Sequence, residues 1–268
     1  VWYDILTMYV HIEDVCRMDA ALCNKRRRPA FLQLISTKVL LFNREEIIIL
    51  EDPYNSYSYT HKALGTAALS WVLKRGIHLA SLRLPRFHVS SAVDHQFVRD
   101  VVASLALDGH LDKLETISFH RCSYINDADL AGVLSKCFSS VKSIDIRECN
   151  VTENSTALIK RCTKLEAFKP QGNESAADFA GIFQSCRKMR NVDLGDFYEL
   201  LTDEVVRSVA AHCPLLEILS FYGCGEVSDE SIGEVADSCP LLQRLDLSET
   251  AITDASVVSL CTHCPLLK

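Results

Sequence analysis

The sequence predicts an α/β solenoid, in which copies of one strand–turn–helix unit stack along a single axis. Two observations support this prediction: a cysteine returns about every 25 residues through the second half of the chain, and the same apolar frame follows it. The frame cysteines are Cys137, Cys162, Cys186, Cys213, Cys239 and Cys264. A fixed period of this length is typical of solenoids, because their units bury an apolar face only by stacking.

The first element of each unit is a short strand. The chain reads Pro-Leu-Leu-Glu-Ile-Leu-Ser-Phe after Cys213 and Pro-Leu-Leu-Gln-Arg-Leu-Asp-Leu after Cys239. Looser copies of this frame begin at Leu114, Val141, Leu165 and Met189. Apolar residues that alternate with a period of two predict a strand with one buried face, and stacked strands form a parallel sheet.

The second element is a helix that begins after a turn. Oxygen side chains stand where the first helical amides need acceptors, and acidic side chains stand near the positive helix end. These residues form four pairs: Asn126-Asp127, Thr202-Asp203, Ser228-Asp229 and Thr253-Asp254. Helical spacing predicts three buried faces, which comprise Val205, Val209 and Ala210, then Ile232, Val235 and Ala236, and finally Val257, Val258 and Cys261.

The unit resembles the cysteine-containing subtype of leucine-rich repeat, which is found in many F-box proteins. The resemblance covers residues 77–268, and it implies a horseshoe with the parallel sheet on the concave face and the helices outside. The copy at 167–183 is weak, because Pro170-Gln171-Gly172 interrupts the strand pattern and no Thr/Ser-Asp pair follows, so we expect an irregular loop there. Residues 264–268 open another copy, which predicts that the array continues beyond them.

Residues 1–36 differ in kind, because their apolar residues recur at helical spacing without the repeat frame. The order of Asp4-Ile5-Leu6, Tyr9-Val10, Glu13-Asp14-Val15, Arg17-Met18-Asp19 and Leu22-Cys23-Asn24 is similar to the F-box. The family's opening Leu-Pro would fall before Val1, and its late Trp is absent, with Phe31 the nearest aromatic residue. The resemblance implies that Ile5, Leu6, Val10 and Val15 contact the Skp-type adaptor of a cullin-RING ubiquitin ligase. Alternatively, these four side chains form the core of a helical cap that shields the first repeat.

Residues 37–76 connect the helical module to the array. Two apolar stretches, 39–42 and 46–50, have the composition of strands, and a turn is predicted at 52–56. A helix over 62–75 would end at Gly76. We therefore expect an irregular first repeat or a linker.

Composition indicates a globular chain without a membrane span. With 48% hydrophobic and 24% charged residues the chain can bury a substantial core, and no apolar run approaches the roughly 18 residues that a span needs. Nine of the twelve cysteines occupy frame positions, where a small apolar side chain packs against the neighbouring coil. Cys261-Thr-His-Cys264 lacks a second ligand pair, so no metal site is expected. Abundant packing thiols favour a reducing compartment, the cytoplasm or the nucleus.

The sequence contains no motif that indicates catalysis. The nine histidines are scattered, and neither a Gly-rich phosphate loop nor a Gly-x-Ser-x-Gly motif occurs. Helix capping accounts for the aspartates of the four pairs. We therefore expect a protein that binds other proteins, is not an enzyme and needs no cofactor.

The exposed positions between the frame residues form the predicted binding surface. One row runs Arg83, Ser118, Asp145, Lys169, Asp193, Ser220 and Asp246, and the next runs Pro85, His120, Arg147, Gln171, Gly195, Tyr222 and Ser248. The candidate partner-binding residues are Arg83, His120, Asp145, Arg147, Lys169, Asp193, Tyr222 and Asp246. Of these, His120, Arg147 and Tyr222 are the expected anchors, since aromatic and arginine side chains dominate interface energies.

Charge is unevenly distributed along the chain. Residues 191–268 contain 14 Asp or Glu and 3 Lys or Arg, a net charge of −11 against −7 for the whole chain. This part disfavours nucleic acid and favours a basic protein target. Two functions fit these observations: a substrate receptor of an SCF-type ubiquitin ligase, or a non-catalytic scaffold that bridges partners in a larger complex.

Overall fold

A repeated strand–turn–helix unit builds the protein, whose computed structural model describes residues 78–84, 92–107, 109–171, 175–195, 197 and 201–268. The strands are β1 Ser81–Arg83, β2 Thr116–Ser118, β3 Ser143–Asp145, β4 Ala167–Lys169, β5 Asn191–Asp193, β6 Ile218–Ser220 and β7 Arg244–Asp246. The helices are α1 Ala92–Leu107, α2 Asp127–Cys137, α3 Thr156–Ile159, α4 Ala176–Ser185, α5 Asp203–His212, α6 Asp229–Ser238 and α7 Asp254–His263. A 3₁₀ turn, Glu153–Ser155, precedes α3.

The strands form one parallel seven-stranded sheet whose order is the chain order, β1 to β7. Equivalent frame residues lie side by side, since Leu82 pairs with Ile117, Ile117 with Ile144 and Ile144 with Phe168. The frame read from the sequence is therefore the register of the sheet. The predicted α/β leucine-rich-repeat solenoid is confirmed.

The core lies between the sheet and the helices. Frame side chains such as Ile117, Phe119, Ile144 and Phe168 are fully buried there. Neighbouring strands lie about 4.8 Å apart, whereas packed helices need about 8–10 Å. Because each helix takes more room than each strand, the stack curves with the sheet on its inner side. We call the solvent-facing side of this sheet the inner face.

The predicted capping pairs also fasten neighbouring coils to each other. Asn126 caps α2 by accepting two backbone N–H groups of its first turn. Asp127 accepts hydrogen bonds from the N–H and hydroxyl of Thr152 and from the hydroxyl of Ser155, all in the following coil. In the same way Asp203 accepts the N–H and hydroxyl of Ser228. Asp229 accepts the N–H and hydroxyl of Thr253 and the hydroxyl of Ser256. Each aspartate therefore lies at the start of its own helix and accepts hydrogen bonds from the following coil. This second role was not predicted from the sequence.

The cysteines of the frame pack as predicted. Nine are buried and free: Cys122, Cys137, Cys149, Cys162, Cys186, Cys213, Cys224, Cys239 and Cys264. Several thiols also donate to a carbonyl of the preceding coil, for example Cys149 to Phe119 at 2.9 Å and Cys239 to Cys213 at 3.5 Å. Burial raises the pKa of Cys137 to about 12, so its thiol stays protonated and inert.

The face predicted for the last helix is wrong. Val257, Val258 and Cys261 are exposed, and α7 buries Ser256 and Leu260 instead. The equivalents of Val257 and Cys261 in α6 are buried because α6 packs between α5 and α7. In the described structure α7 has a neighbouring helix on one side only, so the same spacing leaves these residues in solvent.

The strand and helix of the weak copy at 167–183 keep the repeat frame, whereas residues 172–174 of the expected irregular loop lie outside the described residues. β4 stays in register with β3 and β5, and Ser175 caps α4 by accepting the N–H of Asp178 at 3.2 Å. The preceding coil also departs from the frame, because α3 has only four residues. The structure corrects the prediction for Thr202, whose side chain makes no capping hydrogen bond to α5.

The two predicted N-terminal segments, residues 1–36 and 37–76, lie outside the described residues. Within the described ranges, every helix is too short or too polar to cross a membrane.

Candidate functional site

The first predicted row of candidate residues lies along the inner face. Because the middle residue of each strand points into the core, the residue after it points to the opposite side of the sheet. The register aligns Arg83, Ser118, Asp145 and Lys169 on β1–β4, and Asp193, Ser220 and Asp246 on β5–β7. The row is therefore a continuous polar strip across seven strands.

The second predicted row follows two residues later, where the chain leaves each strand. Its described members are His120, Arg147, Gln171, Gly195, Tyr222 and Ser248, and all are at least partly exposed. Pro85 lies outside the described residues. The side chain of Gln171 is already engaged, since its Oε1 accepts the N–H of Cys149 at 2.8 Å.

An ion network occupies the centre of the inner face. Arg147 binds Asp145 through two parallel hydrogen bonds, Nε to Oδ1 at 3.0 Å and Nη2 to Oδ2 at 2.9 Å. Its Nη1 donates to Asp193 Oδ2 at 3.0 Å, and Lys169 Nζ lies 3.4 Å from the same oxygen. Four candidate residues are thus brought together across β3, β4 and β5, with two carboxylates balancing two cations.

The network holds the guanidinium of Arg147 in place. Partial burial lowers the pKa of Arg147, but the hydrogen bonds and charge of Asp145, with the charges of Asp193 and Glu148, outweigh that effect and raise it. A bidentate pair between arginine and a carboxylate is among the stronger and more directional side-chain interactions. Arg147 is therefore a fixed part of the inner face, and its orientation is set before any partner arrives.

Hydrogen-bonded side chains flank the network on both sides. Towards β2, Glu148 Oε1 lies 2.8 Å from Arg121 Nε and 3.3 Å from His120 Nε2. The hydrogen bond from Arg121 is the main cause that lowers the pKa of Glu148. Towards β7, the hydroxyl of Tyr222 donates to Glu249 Oε1 at 2.9 Å. Both predicted anchors in these flanks are oriented by a carboxylate of the following turn.

Three of the flanking residues hold left-handed backbone conformations. The φ angles are 64° at Arg121, 55° at Glu148 and 58° at Glu249, and Gly223 takes the equivalent position after β6 with a φ of 73°. This conformation is unfavourable for a residue with a Cβ atom. These residues were not predicted from the sequence, although they occupy the same position in the frame as Gly223.

Aspartates of the first row also shape the turns that follow the strands. Each Oδ1 accepts the N–H of the residue two positions later: Asp145 from Arg147 at 3.4 Å, Asp193 from Gly195 at 3.3 Å and Asp246 from Ser248 at 3.0 Å. Such turns are a common use of aspartate. The second oxygen, Oδ2, remains for other partners, and at Asp145 and Asp193 a cation of this chain occupies it.

A further row on the same face was absent from the predictions. It lies at the first residue of each strand and includes Thr116, Ser143, Asn191 and Arg244. These positions widen the inner face beyond the two predicted rows.

The predicted adaptor-binding residues Ile5, Leu6, Val10 and Val15 lie outside the described residues, so their interaction stays a prediction. Among the residues that the structure describes, no group of three or more His, Cys, Asp or Glu side chains is placed to hold a metal ion.

Comparison with known proteins gives distant similarities. No protein-family model matches the chain. The chain is similar to one in the crystal structure of the Rad7 and Elc1 complex in yeast, with 13% identity, a TM-score of 0.49, and coverage of 97% of this chain and 82% of that one. It is also similar to an internalin from Listeria monocytogenes, with 11% identity, a TM-score of 0.39, and coverage of 77% and 70%. Similarities this distant indicate nothing about what the chain binds.

Proposed function

We propose that the protein is a non-catalytic binding protein whose inner face holds a protein target. The observation that supports this most is the ion network of Arg147, Asp145, Lys169 and Asp193, which orders charged side chains on an open sheet. Side chains that are already ordered lose little conformational entropy when a partner binds. Arginine and tyrosine, as at Arg147 and Tyr222, are also the residues that contribute most at protein interfaces.

We further propose that the protein is a substrate receptor of an SCF-type cullin-RING ubiquitin ligase. This proposal depends on the F-box resemblance of residues 1–36, in which Ile5, Leu6, Val10 and Val15 would bind the Skp-type adaptor. The array would then present the target, and other subunits would transfer ubiquitin. Such a receptor works in the cytoplasm or the nucleus, in agreement with the free buried thiols.

The alternative is a scaffold in which the N-terminal module only caps the array and the inner face bridges partners. The same polar strip would serve a scaffold, because a solenoid offers an extended binding surface whether or not it is part of a ubiquitin ligase. The two proposals differ in one respect, which is whether residues 1–36 bind an adaptor.

Co-purification with a Skp-type adaptor separates the two functions. We expect the 268-residue chain to retain the adaptor, and Ile5→Asp and Val10→Asp to lose it, because each places a charge in an apolar contact without a partner. Ile5→Leu is the matched control and should retain the adaptor. Circular dichroism would verify that the array stays folded. If the unmodified chain retains no adaptor, the ligase proposal is wrong and the scaffold remains.

A further inference from the structure

Aspartates of the first row lie on every second strand from β3 to β7 of the inner face. Asp145 is on β3, Asp193 on β5 and Asp246 on β7. Two strand spacings, about 9.6 Å, therefore separate each aspartate from the next. We call the surface between Asp145 and Asp193 the first interval, and the surface between Asp193 and Asp246 the second interval.

Cations of the chain itself fill the first interval. Lys169 stands on the middle strand β4, and Arg147, two residues after Asp145, reaches across to Asp193. Two positive charges therefore compensate the two aspartates at the ends of this interval. Nothing of opposite charge is required from a partner there.

Short residues take the equivalent places in the second interval. Ser220 stands on the middle strand, and Gly195 is two residues after Asp193. A Cβ atom on Gly195 would come within 3.2 Å of the Cβ of Tyr222 and 3.4 Å of the Oγ of Ser220, so a side chain at this position would crowd the interval. Among the described residues, the two positions that carry cations in the first interval therefore carry none in the second.

Charge at the β7 end of the second interval is not compensated by an ion pair within the described residues. Asp246 and Glu249 are exposed, and no ion pair joins Asp246 to a cation of the described residues. Arg244 is the single cation within β5, β6 and β7, and it also forms no ion pair in the described structure. The second interval thus has the same aspartate spacing as the first interval, but it has no equivalent of Arg147 or Lys169.

We propose that the second interval binds an arginine or lysine side chain of the protein target, so that a basic segment of the target lies across β5, β6 and β7. Asp246 supplies the free carboxylate oxygen, Asp193 forms the opposite wall, and the ring of Tyr222 offers an aromatic face to the cation. The bond between Arg147 and Asp193 is the chain's own example of such a contact. The net charge of −11 in residues 191–268 attracts a basic segment to this half of the array. This inference rests on target binding by the inner face, as proposed above.

The variant Ser220→Lys tests the proposal, because it supplies to the second interval the cation that Lys169 supplies to the first. The matched control is Ser135→Lys, which adds the same charge at an exposed position on α2, in the outer layer. Binding of a short fluorescein-labelled peptide of alternating arginine and serine is measured by fluorescence anisotropy on the 268-residue chain. We expect Ser220→Lys and Asp246→Asn to weaken peptide binding roughly tenfold, and Ser135→Lys to leave it within about twofold.

Equal weakening by both lysine variants would overturn the proposal, because it would show only a general attraction between an acidic protein and a basic peptide. Ser220→Ala adds no charge to the interval and should bind like the unmodified chain, so a loss of binding by this variant would also contradict the proposal. Thermal midpoints of all variants show whether the fold is kept.

Adaptor retention by the same variants keeps the two proposals apart. A Ser220→Lys chain that retains both adaptor and peptide contradicts this inference alone. An unmodified chain that binds the peptide and retains no adaptor contradicts the ligase proposal alone.

Discussion

Glu249 holds a backbone conformation that suits glycine, with φ at 58°. In this conformation its carboxylate lies at the edge of the inner face, where it accepts a hydrogen bond from the hydroxyl of Tyr222 at 2.9 Å. A left-handed conformation costs a residue with a Cβ atom roughly 1–2 kcal/mol, whereas an exposed hydrogen bond contributes about 1 kcal/mol or less. By these magnitudes Glu249 does not stabilise the fold, and what it contributes is a carboxylate at the edge of the inner face.

We therefore expect Glu249→Gly to raise stability by about 1 kcal/mol, since the backbone strain exceeds the lost hydrogen bond. In a chain of this size such a change raises the thermal midpoint by about 2–4 °C. The measurement is thermal unfolding followed by circular dichroism.

Glu230→Gly is the control for this prediction, because it makes the same change at an exposed residue of α6 with helical geometry. Glycine within a helix is unfavourable by about 1 kcal/mol, so this variant should melt at a lower temperature than the unmodified chain. A Glu249→Gly chain that melts no higher than the unmodified one would show that the strain at this turn is negligible.

At the scale of the elements, the helix starts show what the sequence could predict and what it could not. The pairs such as Ser228-Asp229 were identified as caps because both residues are typical of helix starts. The hydrogen bonds that Asp229 accepts from Thr253 and Ser256 were not predicted, since they join residues 24 and 27 positions apart. Local propensity does not report such contacts, and only the stacking of coils brings them about.

Asp229 should make the link between α6 and α7 sensitive to acid. The hydroxyl of Ser256, followed by the amide and hydroxyl of Thr253, lowers the pKa of Asp229 from its ordinary 3.8 to about 2. A carboxyl with a lowered pKa in the folded state stabilises the fold above its unfolded pKa, and this contribution is lost as the pH falls through about 2.

We expect Asp229→Asn to be less stable than the unmodified chain at neutral pH, and this difference to shrink as the pH falls from about 5 to 2. Urea unfolding at several pH values measures it. Asp254→Asn is the control at neutral pH, because Asp254 has the same place in α7 and accepts no hydrogen bond from a following coil in the described structure. A difference for Asp229→Asn that is independent of pH would argue against the carboxylate as its source.

In the candidate site, too, local sequence patterns predicted some features, whereas contacts between distant residues could not be predicted. The rows of the inner face followed from alternation within each strand, because side chains on a strand point to opposite sides in turn. The bond between Arg147 and Asp193 spans 46 residues and two strand spacings, so it depends on side-chain conformations that spacing does not specify. The burial of Val257 was predicted wrongly for a related reason, because burial depends on a neighbouring coil as well as on helical periodicity.

For the whole molecule, stability comes mainly from contacts between successive coils, so a defect should act according to its place in the array. Phe168 on β4 is fully buried at the centre of the sheet, next to the coil with the short helix α3. Phe168→Ala removes roughly 3–5 kcal/mol of packing, and it does so where the outer layer is thinnest. We expect this variant to uncouple the coils before β4 from those after it.

Hydrogen exchange measured by mass spectrometry checks this last prediction. In Phe168→Ala, amides of β3, β4 and β5 should lose protection first, while those of β6 keep theirs until higher denaturant. Phe221→Ala is the matched control, since it makes the same change at a fully buried residue after β6 and should loosen β6 and β7 without affecting β2 and β3. A uniform rise of exchange over all described strands in both variants would show that the array unfolds as one unit, against the nearest-neighbour account of its stability.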